Sequence, residues 1–228
     1  MKSISEGFLY CVYSEDGSIN KFFKDEFLVS LNSLKSVMPN CHVTLYTNIV
    51  FENIYQIDHI IYDEFIIKDH IAKAYGLSKS PYQKTIFLDT DIVIHRKVIK
   101  DIFTVLKDFD FTCCYGNFWH KGHIFPDLST GILGVKNNPF TQKEIQKWIK
   151  EVKLRVREKS SNGDVGRVSD QKYFRNVFMR NKTKFHILPW WFQHRSENFI
   201  KYFSNIVTTH SHSMCKNKVT QQIINKLK

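Results

Sequence analysis

Phe87-Leu-Asp-Thr-Asp-Ile-Val-Ile94 sets two acids, Asp89 and Asp91, inside an otherwise apolar run. Burying two carboxylates unpaired is costly, which favours a functional reading of the pair. Residues i and i+2 of an extended segment project to the same side. Asp89 and Asp91 can therefore approach one hard cation while Thr90 points away. The plainer reading is a polar turn between two strands, and the residues by themselves allow both.

Working toward the N-terminus, Thr85 to Leu88 reads as the strand that delivers Asp89, and Asp69 to Lys79 as a helix stopped by Ser80-Pro81. Phe8-Leu-Tyr-Cys-Val-Tyr13 is a short apolar strand running into Ser-Glu-Asp-Gly, and apolar residues at 23, 27, 31, 34 and 38 then recur at helical spacing until Pro39. Cys41-His-Val-Thr-Leu-Tyr46 and Ile57-Asp-His-Ile-Ile-Tyr62 are further strands. Beyond the acids come strands near 110–114 and 130–135, a basic helix around 139–158 and a polar loop over 159–168. A helix from Asp170 and strands at 184–188 and 205–209 follow. Such alternation predicts one α/β domain with a mostly parallel central sheet flanked by helices on both faces. Ligands of open parallel sheets bind beyond the carboxyl ends of the strands, where Asp89 and Asp91 stand.

The 228 residues, 43% hydrophobic and 14% aromatic, suffice for a single packed domain. The sequence shows no basic-then-apolar leader and no run of about 18 apolar residues. The expectation is a soluble, cytoplasmic chain, peripheral to a membrane at most. Cysteines 11, 41, 113, 114 and 215 are odd in number and lack CxxC spacing, as expected of reduced residues. The net charge of +11 is concentrated after Lys136, notably in Lys147-Trp-Ile-Lys-Glu-Val-Lys-Leu-Arg-Val-Arg157. A surface of that kind attracts phosphates of any sort, whether on a nucleotide, an anionic membrane or a nucleic acid, and it also describes a merely solvated helix face.

Four further features share an order with the acids. Lys73 lies sixteen residues before Asp89, and Ser129-Thr-Gly131 occupies a later strand. Asp170-Gln171 opens a helix, and His210-Ser-His-Ser-Met-Cys-Lys216 closes the series. In these segments the chain resembles the retaining glycosyltransferases of the glycogenin type, glycosyltransferase family 8. The resemblance runs from about Phe8 to Lys216, with Ser129 where the family has Asn, Ser213 where it has Gly, and Arg167 where it often has an acid.

The resemblance implies a GT-A (nucleotide-diphospho-sugar transferase) fold, with a nucleotide-binding half over about 1–95 and an acceptor half over about 96–228. It implies transfer of a sugar, with retention, from a nucleotide diphosphate sugar, chiefly a UDP-sugar, to a glycan, lipid or protein hydroxyl. Asp89, Asp91 and His210 would hold Mn²⁺ or Mg²⁺, an imidazole ligand favouring Mn²⁺; His212 is a competitor for the third position. Lys73 and Lys216 would be point charges on the diphosphate or the sugar side, Thr90 would belong to the nucleotide-sugar site between the two acids, and Ser129, Thr130 and Gly131 would face the sugar. Asp170 and Gln171 would stand at the reacting centre, although Ser169-Asp170 also fits a helix start. Tyr10, Val12 and Tyr13 would border the base, with ordinary core packing the simpler reading for Tyr10.

Two other classes fit parts of the same sequence. A strand ending in Asp89-Thr-Asp-Ile-Val93 also suits a phosphatase with an aspartyl nucleophile, with Asp164 and Asp170 as distal acids. The basic surface by itself suits a non-catalytic module for membrane or, less readily, nucleic acid, whose affinity would fall steeply with salt.

Overall fold

The computed structural model describes residues 4–14, 21–51, 56–64, 71–120, 123–162, 170–180, 183–193 and 206–210. Its strands are β1 (Ile4–Val12), β2 (Val43–Thr47), β3 (His59–Tyr62), β4 (Tyr82–Leu88), β5 (Ile92–Ile94), β6 (Phe111–His120), β7 (His123–Lys136), β8 (Phe185–Leu188) and β9 (Thr208–His210). The helices are α1 (Lys21–Val37), α2 (Ala72–Ser78), α3 (Asp101–Val105), α4 (Pro139–Ser161) and α5 (Asp170–Arg180). Seven strands form one sheet in the order β3-β2-β1-β4-β7-β6-β8, and β5 pairs with β9 in a separate ribbon. The half that carries β1 to β4 is parallel; β7 runs antiparallel to both β4 and β6. The expected α/β sheet is therefore present, with an antiparallel strand inserted beside the one that delivers Asp89.

Strand alternation sends successive residues of β1 to opposite faces. Phe8, Tyr10 and Val12 enter a core with Phe27, Leu31 and Leu34 of α1 and Ile102 of α3. Leu9, with Cys11 beside it, joins Ala74 and Leu77 of α2, Trp148 of α4 and Phe174 and Phe178 of α5. That second core is rich in rings: Trp148 meets Phe174 edge to face at 5.1 Å, and Phe111 lies 4.2 Å from Phe178. The basic helix α4 is thus held by one buried apolar stripe. Asn138 caps its start, Oδ1 accepting from the Thr141 amide at 2.9 Å while Thr141 Oγ1 accepts from the Asn138 amide at 3.0 Å.

Helix α1 also fixes β5. Ser33 Oγ accepts from the Ile94 amide at 2.9 Å and donates to the Ser30 carbonyl at 2.7 Å, so one buried serine hydroxyl of α1 holds the strand that follows the acids. Cys11, Cys41, Cys113 and Cys114 are free thiols. Among the described residues no helix is long and apolar enough to cross a membrane.

Candidate active site

Asp89-Thr-Asp91 is a turn between β4 and β5, so the local geometry is the polar turn that the sequence allowed, and it sits at the carboxyl end of the parallel strands. The last registered pair between β4 and β7 is Leu88 with Ile132, and the Asp89 amide then donates to the Gly131 carbonyl at 2.9 Å. Pairing between β6 and β7 slips at this level: Cys113 faces Leu133 while Cys114 faces Ser129. The β6 ladder thereby skips Thr130 to Ile132, leaving that stretch to meet β4 and the turn.

Asp91 receives its neighbour from the far end of the chain. Antiparallel pairing of β5 with β9 sets His210 opposite Ile92, and His210 Nε2 lies 3.0 Å from Asp91 Oδ1. Asp89, Asp91 and His210 each turn one ligand atom inward, all within 4.8 Å of one another. Two carboxylates and an imidazole are a set of donors that could hold a divalent cation. Asp91 and His210 are 8% and 5% exposed, so this charge is held where a cation would gain most from it.

Lys73 approaches from α2. Its ammonium donates to Asp89 Oδ1 at 3.1 Å, to Thr130 Oγ1 at 3.1 Å and to the Thr130 carbonyl at 3.4 Å. It also lies over the Phe87 ring at 5.4 Å. Thr130 and Gly131 are thus brought to Asp89, and Ser129, fully buried, accepts from the Gly131 amide at 3.3 Å.

On β1, Tyr10 and Val12 pack in the core. Tyr10 is fully buried, edge to face with Phe27 at 5.3 Å, its hydroxyl 3.0 Å from Ser30 Oγ. Val12 enters the same α1 core. The pleat aims the side chains at these even positions at α1, the ordinary core packing that was the simpler reading for Tyr10. Tyr13, part-buried, packs on the α2 side instead. Cys11 shares that side: burial pushes its thiol well up, the Lys73 ammonium pulls it down, and the Asp89 carboxylate raises it again. Here β1 and β2 are fastened by a reciprocal pair, the Ser14 amide donating to Asn48 Oδ1 at 3.0 Å and Asn48 Nδ2 to the Ser14 carbonyl at 2.8 Å.

Sequence reasoning missed Gln193. It follows a 3-10 turn, Trp190–Phe192, and its Nε2 lies 2.6 Å from His210 Nδ1. Nothing in Pro189-Trp-Trp-Phe-Gln193 announces this, since the contact depends on where β9 lies. Trp190 and Trp191 on the same turn are exposed, ring centroids 5.9 Å apart. Gln171 lies part-exposed in the first turn of α5, a helix tied to β7 by Arg175 Nη1 and Asp127 Oδ1 at 2.9 Å. Asp170 opens that helix, but its side chain lies outside the described residues, as do Asp164, Arg167, Ser169, His212, Ser213 and Lys216.

No protein-family model and no curated protein sequence matches the chain. Solved structures do. The glycosyltransferase GlyE of Streptococcus pneumoniae TIGR4 aligns over 98% of this chain at TM-score 0.65 and 11% identity, and the alignment spans 60% of GlyE. The galactosyltransferase LgtC, solved with donor and acceptor sugar analogues, aligns over 97% of this chain and 94% of its own at TM-score 0.56 and 12% identity. A glycosyltransferase involved in glycosylation of the major capsid of PBCV-1 covers 98% of both chains at TM-score 0.57 and 9% identity. Identity this low speaks to architecture alone: the chain has the GT-A fold that these glycosyltransferases share.

Proposed function

We propose that this protein is a metal-dependent glycosyltransferase that moves a sugar from a nucleotide diphosphate sugar, UDP by preference, to an acceptor hydroxyl with retention at the anomeric carbon. The observation that supports it is the Asp89, Asp91 and His210 cluster at the carboxyl edge of a GT-A sheet. When bound there, Mn²⁺ would neutralise charge on the departing diphosphate.

The chain's own residues then divide the work. Asp89, Asp91 and His210 hold the cation. Lys73 keeps the Asp89 carboxylate in place and adds a positive charge on the phosphate side, with Lys216 assigned to the same region by its place in the sequence and Thr90 to the turn that carries the two acids. Ser129, Thr130 and Gly131 line the sugar, Tyr13 borders the base, and Asp170 with Gln171 bind donor hydroxyls near the anomeric carbon. On this reading one domain serves both substrates, the nucleotide through about 1–95 and the acceptor through about 96–228.

Calorimetric titration of UDP, GDP and their sugars, with and without Mn²⁺, tests the reading against Asp91→Ala. Mn²⁺-dependent binding that is lost in the variant is the expected result. No nucleotide binding, with Mg²⁺-dependent phosphatase activity that requires Asp89, would transfer the site to the phosphatase class.

A further inference from the structure

Gln193 and His210 form a contact that the roles above do not use. Gln193 is 4% exposed, its Nε2 lies 2.6 Å from His210 Nδ1, and among the described residues its Oε1 is buried without a hydrogen-bond partner. A buried carbonyl oxygen lacking a donor has given up its hydration with nothing in exchange. Gly131 makes room for the pair: a Cβ there would lie 2.6 Å from Gln193 Nε2 and 3.1 Å from His210 Nδ1.

The carboxamide end of Gln193 selects the histidine tautomer. With Nε2 toward the ring, Nδ1 must accept, and the ring proton resides on Nε2, the nitrogen that stands 3.0 Å from Asp91 Oδ1. A half-turn about the Cγ–Cδ bond exchanges two groups of the same shape. Oε1 then meets the ring, gains the donor it lacks, and holds the proton on Nδ1. The Nε2 lone pair is left facing Asp89 and Asp91.

We propose that Gln193 is a positioning residue for the cation site, its amide oxygen accepting from His210 Nδ1–H so that Nε2 is presented as the third ligand. This rests on the metal reading given above. A histidine ligand is normally set in this way, through the partner of its other nitrogen, and loss of such a partner typically lowers metal affinity by about 10–100-fold.

The test uses the full chain and Mn²⁺ alone, by calorimetry and electron paramagnetic resonance, with no nucleotide or acceptor present. Gln193→Leu keeps the bulk and removes the acceptor; it is expected to weaken Mn²⁺ binding by about 10–100-fold with an unchanged circular dichroism spectrum. Gln193→Glu restores an acceptor oxygen and is expected to bind at least as tightly as the wild type. Long-range ¹H–¹⁵N spectra of the Zn²⁺-loaded wild type should show the His210 proton on Nδ1. A Gln193→Leu affinity within twofold of the wild type, while Asp91→Ala and His210→Ala abolish binding, overturns the positioning role alone. Mn²⁺ affinity unaltered in Asp91→Ala and His210→Ala overturns it together with the metal reading.

Discussion

Lys73 Nζ stands 3.1 Å from Asp89 Oδ1 and 3.1 Å from Thr130 Oγ1, so one ammonium ties α2, the end of β4 and β7 together at the candidate site. Lys73 is 8% exposed and enclosed by these acceptors, whereas the Asp89 side chain is 26% exposed and reaches the edge. The lysine thus opposes a cation for the same carboxylate while favouring any phosphate that approaches. Lys73→Met should therefore bind Mn²⁺ alone several-fold more tightly and bind UDP with Mn²⁺ at least tenfold more weakly, since unit charges a few ångströms apart exchange about 1–4 kcal/mol near a protein surface. Calorimetry of the two ligands in turn separates these effects. Equal weakening of both would make Lys73 a structural residue.

Mn²⁺ should raise the unfolding temperature. A ligand that binds only the folded state stabilises it by about 2.7 kcal/mol at a free concentration 100 times its dissociation constant. Thermal scans with Mn²⁺ and after chelation should differ for the wild type and coincide for Asp91→Ala.

Two glycines of β7 predict different losses. Gly131→Ala would press on Gln193 and His210 at 2.6 and 3.0 Å, whereas Gly134→Ala would press on Thr112 Cγ2 at 2.4 Å and Ile102 Cγ2 at 2.7 Å. Both should lower stability by about 1–3 kcal/mol through overpacking. Gly131→Ala alone should also cost Mn²⁺ affinity, by about tenfold or more if it displaces the partner of His210. Urea denaturation beside Mn²⁺ titration distinguishes the two.

His95 should make the fold acid-sensitive. Burial lowers its imidazole from 6.5 to about 4, and its Nε2 lies 2.7 Å from Thr209 Oγ1, next to His210 in β9. Between those two values the unfolded chain binds a proton that the folded chain refuses. This contribution to stability is complete above about pH 6.5 and is lost as pH falls toward about 4. His95→Asn should flatten that part of the pH profile, measured as urea midpoints at pH 7 and pH 5. A parallel decline in wild type and variant would assign the acid sensitivity to other groups.

The sequence by itself determined the α/β order and the place of Asp89 and Asp91, because strand and helix periodicities and the Ser80-Pro81 stop are local properties of the chain. It left the facing of β1 open. Tyr10 and Cys11 are adjacent and both suited to a strand, and only the register against β2 and β4 decided that Tyr10 enters the α1 core while Cys11 lies on the side of Lys73. The resemblance implied His210 beside the two acids, and the ribbon of β5 with β9 is the pairing that carries it to Asp91; tertiary structure alone brought Gln193 to His210, from a turn with no distinguishing motif. Those contacts join residues far apart in sequence, and they follow from pairings between strands of three residues each, too short to carry a periodicity of their own.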